Sequence, residues 1–109
     1  MINYYKLFII GNVRPEDRAE FEKCMNTLTM YVDWEQFELV VYVDGNASEL
    51  IEAWADDKNI RARISQAELG PHIDFFTAII FWDGVEDIAI KRNLLNNVEY
   101  RLVRTDRWC

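Results

Sequence analysis

At 109 residues and 50% hydrophobic content, the chain is sized for one compact domain and is too apolar to be disordered. Area scaling lets about two thirds of its extended surface be buried, enough for a core without staples. Twelve Lys and Arg against nineteen Asp and Glu leave a net charge of −7, which repels nucleic-acid backbones and anionic membranes and excludes nonspecific polyanion binding.

Tyr4 to Ile10, YYKLFII, predicts a first strand buried on both faces and stopped by Gly11 and Asn12. Pro15, Glu16 and Asp17 then open a helix, with the two carboxylates at the positive end of its dipole. Its inward stripe is Phe21, Met25, Leu28 and Val32, with Cys24 and Tyr31 beside it. Phe37 to Val43 is the second strand. Asp44 and Gly45 break it, and Asn46 or Ser48 caps a helix that buries Leu50, Ile51, Trp54 and Ala55 and ends across Asp56 to Asn59.

Ile60 to Ile64 alternates apolar residues with arginine, as a half-exposed strand near a sheet edge does. Ser65 and Glu68 form a capping-box pattern, but Gly70 and Pro71 restrict the segment up to about Phe76 to a short or broken helix. Thr77 to Trp82, TAIIFW, is the clearest interior strand. After Asp83 and Gly84 a helix carrying Ile88, Lys91, Arg92 and Leu95 runs to Asn96 and Asn97, either of which can supply a left-handed stop. Val98, Tyr100 and Leu102 alternate in a last strand, and a polar tail ends in Trp108 and Cys109.

Strict alternation of strands and helices predicts an α/β fold: one three-layer Rossmann-like domain, residues 1–109, of about five mostly parallel strands with helices on both faces. The two cysteines, Cys24 and Cys109, form no metal-binding or disulfide framework; a bridge between them competes with a buried thiol at Cys24. There is no secretory n-region and h-region pattern and no apolar run of about eighteen residues, so the cytoplasm is the default expectation. Trp108 reads either as folded back on its own domain or as part of a subunit contact, and the 14% aromatic content leaves room for a homodimer patch.

Ligands on parallel sheets bind at the carboxyl ends of the strands, where strand order reverses. Three loops qualify: Gly11-Asn12-Val13-Arg14, Asp44-Gly45-Asn46-Ala47-Ser48 and Asp83-Gly84-Val85-Glu86. The first two lead into helix N-termini whose amides could hold an anion, although glycines and caps are also what any tight strand-to-helix turn requires. The candidate ligand-binding residues are Gly11, Asn12, Arg14, Asp44, Gly45, Asn46, Ser48, Asp83, Gly84 and Glu86. His72, the only histidine, has no Cys or Ser partner placed by sequence, and no catalytic triad, zinc spacing or Walker loop is present.

An opening strand ending in glycine with Arg14 and Asp17 beyond it, the DGNAS segment leading to Trp54-Ala55, and FWDG at Phe81 to Gly84 together resemble the Rossmann-like SLOG superfamily, in particular its small YspA-like proteins. The similarity runs from Leu7 to Arg104. It implies a nucleotide-derived ligand, such as an ADP-ribose type molecule, held by a non-catalytic domain or regulatory binding module. The family's paired glycines and arginine are replaced in Tyr42 to Ser48, and its small hydroxyl and glycine turn becomes Val85 to Ala89. A carboxylate about 4 Å from a phosphate costs on the order of 4 kcal/mol at an effective dielectric of about 20. Asp44, Glu86 and Asp87 would lie near that phosphate with only Arg14 to compensate, so the base or ribose is the better-matched part of such a ligand, its hydroxyls meeting Asp44 or Asp83.

Two other function classes are compatible with the sequence. The −7 charge also suits an acidic protein–protein inhibitor of phage antidefence type, anti-CRISPR or antirestriction, whose face mimics nucleic acid. Glu86 is the only echo of the glutamate used by the nucleosidases of the superfamily, and a hydrolase of nucleotide bonds would depend on it.

Overall fold

A computed structural model describes residues 3–70, 75 and 77–108. Five strands, β1 (Asn3–Gly11), β2 (Phe37–Gly45), β3 (Ala62–Gln66), β4 (Thr77–Trp82) and β5 (Glu99–Arg104), form one sheet in the order β3-β2-β1-β4-β5. Every neighbouring pair is parallel. Among the described residues three helices accompany them: α1 (Arg18–Leu28), α2 (Ser48–Asp57) and α3 (Ala89–Leu94), with a 3-10 turn at Pro15–Asp17 ahead of α1. The expected α/β Rossmann-like architecture is therefore present.

The period of two along each strand divides the apolar side chains between two layers. Leu7, Ile9, Val41, Ile79 and Phe81 point to the face covered by Phe21 and Met25 of α1 and by Ile51 and Trp54 of α2. Phe8, Ile10, Ala78 and Ile80 point to the opposite face, where Ile88, Leu95, Leu69 and Phe75 cover them. The Trp54 indole N–H donates to Asn26 Oδ1 at 2.9 Å, which satisfies its polar atom and ties α2 to α1. Trp108 folds back onto its own domain, its ring 5.9 Å from that of Phe81.

Several boundaries differ from the sequence expectation. The first helix stops at Leu28 rather than reaching Val32; Thr29 is its C-cap, with both its N–H (3.1 Å) and its hydroxyl (2.7 Å) donating to the Met25 carbonyl. Tyr31, expected beside the core stripe, is consequently 91% exposed. Cys24 is half-buried rather than buried, and Cys109 lies outside the described residues. Neither Asn46 nor Ser48 caps α2, whose N-cap is the buried Ala47.

At the other end of α2, Asn59 is left-handed (φ 56°). Its N–H donates to the Asp56 carbonyl at 3.1 Å and that of Ile60 to Ala55 at 2.9 Å, the paired bonds of a Schellman motif. Ile60 thus closes the helix, and the edge strand expected from Ile60 begins at Ala62. Ser65 is in β3, paired with Tyr42, so it does not open a helix with Glu68; residues 71–74 and 76, including His72, lie outside the described residues. Asn96 and Asn97 are not left-handed, since α3 ends through turn bonds from Asn96 N–H to Asn93 and from Val98 N–H to Leu95.

Candidate functional site at the strand ends

β1 continues into α1 on one face of the sheet, whereas its neighbour β4 continues into α3 on the other. The two chains part at their carboxyl ends and leave a crevice at the point where strand order reverses. A cleft of about 330 Å³ lies there, lined by Asn12, Val13, Arg14, Asn46, Asp83, Thr105 and Asp106.

Four of the ten candidate residues, Asn12, Arg14, Asn46 and Asp83, line this cleft. The others have different work. Gly11 (φ 98°) and Gly45 (φ 139°) let three strand ends approach: a Cβ on Gly11 would collide with the Phe81 carbonyl oxygen, and one on Gly45 with that of Gly11. Asp44 accepts the Leu69 N–H at 3.2 Å and so anchors the crossover from β3 toward β4. Ser48 donates to Gln66 Oε1 at 2.9 Å, and Gln66 donates in turn to the Gly45 carbonyl at 2.7 Å, which closes the loop after β2. Glu86 lies 3.7 Å from Lys91, while its carbonyl accepts the Trp82 indole N–H at 2.7 Å. Gly84 makes room for the Arg104 guanidinium, which a Cβ would strike.

Within the cleft, most charged and amide groups are already engaged. Asn46 Oδ1 accepts the Val13 N–H at 2.8 Å, occupying an amide that an anion would need. Arg14 reaches Asp17 at 2.9 Å and Glu16 at 3.7 Å; the Asp17 hydrogen bond and charge raise its pKa above the ordinary guanidinium value. Asp83 Oδ1 accepts the N–H of Val85 at 2.9 Å and, more loosely, that of Glu86 at 3.4 Å, ordering the turn that FWDG begins. Arg104 clasps Asp106 through two bonds of 3.0 and 2.7 Å and lies over the Trp82 ring, 5.0 Å from its centroid. That clasp lowers the Asp106 pKa from 3.8.

The charge pattern is therefore two acids, Asp83 and Asp106, facing a cleft whose nearby cations are paired with carboxylates of the chain itself. The polar groups that remain for a ligand are the Asn12 amide, the Asn46 amide nitrogen, the outer lone pairs of the two carboxylates and the lone pairs of the Thr105 hydroxyl, which itself donates to the Trp82 carbonyl at 3.4 Å. Such a set hydrogen-bonds alcohols and amines well and disfavours a bare phosphate. Among the described residues, no group of three or more His, Cys, Asp or Glu is placed to hold a metal ion. No family model, curated protein or solved structure matches the chain. No described helix is long and apolar enough to cross a membrane.

Thr105 and Asp106 lie in the segment that the sequence marks only as a polar tail, from Arg104 to Cys109, of which Arg104 belongs to β5. Their position derives from topology alone: β5 runs parallel beside β4, so the residues leaving β5 emerge next to those leaving β4. The Thr105 N–H continues the pairing by donating to the Trp82 carbonyl at 2.8 Å.

Proposed function

We propose that the protein is a non-catalytic binding module whose strand-end cleft takes the ribosyl part of a nucleotide-derived small molecule, as its resemblance to SLOG domains implies. The observation that carries this reading is the cleft at the β1–β4 reversal, where Asn12, Asn46, Asp83, Thr105 and Asp106 converge. Carboxylates and amides accept from and donate to a sugar diol without requiring a compensating charge. A phosphate, if the ligand carries one, extends away from Asp83 and Asp106 into solvent.

Calorimetric titration with adenosine, ADP-ribose and orthophosphate tests the reading. Adenosine and ADP-ribose bind, Asn12→Ala weakens both about tenfold, and orthophosphate alone does not bind. Heat from orthophosphate alone, or no heat from either nucleoside compound at millimolar concentration, refutes it.

A second reading, an acidic inhibitor of a nucleic-acid-binding partner, is favoured by the outer face of α2, where Glu49, Glu52 and Asp56 are exposed at helical spacing. Salt-sensitive capture of a nucleic-acid-binding protein, lost on Glu49→Lys with Glu52→Lys, would support that reading over the first.

A further inference from the structure

β5 is an edge strand: among the described residues it pairs with β4 alone. Backbone groups two residues apart point the same way along a strand, and the Thr105 N–H points at Trp82. The N–H and C=O groups of Tyr100 and Leu102 and the N–H of Arg104 therefore face outward from the sheet, open to another strand, while the Arg104 carbonyl accepts the Arg107 N–H at 3.2 Å.

Beside this edge, between β5 and α1, runs a groove of about 570 Å³ with Cys24 and Val103 among its lining residues. Its charge is opposite to that of the molecule. Lys23, Arg101, Arg104 and Arg107 line it against one acid, Glu20, while the whole chain carries 12 basic and 19 acidic residues. Arg104 is clasped by Asp106, but Lys23, Arg101 and Arg107 form no salt bridge among the described residues, and all three are exposed. Arginine on an edge strand guards against aggregation, yet that role does not require a lysine from the facing helix or an apolar floor between them. Leu102, 37% exposed, adds an apolar contact on the other side of the strand.

We propose that the β5 edge and this groove form a docking surface for an extended acidic segment of a partner protein, which adds to the sheet as a sixth strand. Main-chain hydrogen bonds to Tyr100, Leu102 and the Arg104 N–H hold the segment in register, and its carboxylates meet Lys23, Arg101 and Arg107. A second copy paired antiparallel about Leu102 would set Val103 opposite Arg101 and Tyr100 opposite Arg104 and so supply neither arginine with a carboxylate, which argues for an acidic partner over a symmetric dimer.

The probe is a fluorescein-labelled peptide matched to the six residues of β5 and alternating glutamate with valine, with a lysine-for-glutamate peptide as control. The acidic peptide gives a saturable anisotropy rise with Kd below about 1 mM, weakened about tenfold by Arg101→Glu or Lys23→Glu, while the lysine peptide gives none. Leu102→Pro, which removes an outward N–H, also abolishes binding; Arg101→Glu lies on the surface and keeps the test valid should the proline variant unfold. No saturable rise, equal binding of the lysine peptide, or an unchanged Kd in Arg101→Glu overturns the proposal. Light scattering that finds self-association broken by Arg101→Glu also overturns it, in favour of a second copy.

Discussion

The cleft above β1 and β4 and the groove along β5 lie on the same small domain and treat their charges in opposite ways. In the cleft, Arg14 is held by Asp17, Arg104 by Asp106, and the Val13 amide by Asn46. Along β5, Lys23, Arg101 and Arg107 form no salt bridge among the described residues, and the outward backbone groups of Tyr100 and Leu102 meet no strand. A polar group engaged within the chain shapes the site but contributes little new binding, whereas an unengaged one is available to a partner. Net charge alone conceals this contrast, because an acidic molecule carries its least neutralised basic patch at a sheet edge.

The largest effect expected from breaking the cleft comes from its glycines. Gly45→Val places a branched side chain at φ 139° against the Gly11 carbonyl. It should cost at least about 3 kcal/mol, a fall in Tm of roughly 12–24 °C by thermal denaturation. A variant that melts normally would return Gly45 to the ligand-binding residues. Next comes Asn46→Ala, which leaves the buried Val13 N–H without its acceptor. Urea denaturation should show a loss of about 1–2 kcal/mol, and little change would mean that water replaces Asn46 and that the amide is open to a ligand.

The smallest effect concerns Asp106. Its folded pKa is depressed by Arg104, so the clasp contributes stability above the ordinary carboxylate value of 3.8, and that contribution is lost as pH falls through the lower folded value. NMR titration should place the Asp106 carboxyl below 3.8 and move it upward in Arg104→Gln. An identical titration in the two proteins would mean that the clasp does not persist in solution.

The layers of the fold were readable because their signal is local. FELVVYV and TAIIFW are unbroken apolar runs, and buried parallel strands require such runs. What escaped was decided by single residues at helix ends or by contacts at a distance. Ile60 looks like the start of a strand, but the left-handed Asn59 commits it to closing α2. Tyr31 shares the helical spacing of Phe21 and Leu28, yet the helix ends before it, with Thr29 at its C-cap. The strand-end rule brought Asn12, Arg14, Asn46 and Asp83 to one cleft, because all sit in turns that must lie there. It also gathered Asp44, Ser48 and Glu86, whose side chains are drawn elsewhere by Leu69, Gln66 and Lys91. No spacing in the sequence announces Thr105 and Asp106, whose place depends on β5 lying beside β4.

Recognition of a ribosyl group rather than a phosphate at the strand-end cleft can be read residue by residue from amide NMR spectra recorded during titration with ADP-ribose and, separately, with orthophosphate. Saturable shifts confined to Asn12, Val13, Asp83, Thr105 and Asp106 are expected with ADP-ribose, and none at these residues with orthophosphate. Shifts at the same residues with orthophosphate alone, or none there with ADP-ribose at millimolar concentration, would refute ribosyl recognition.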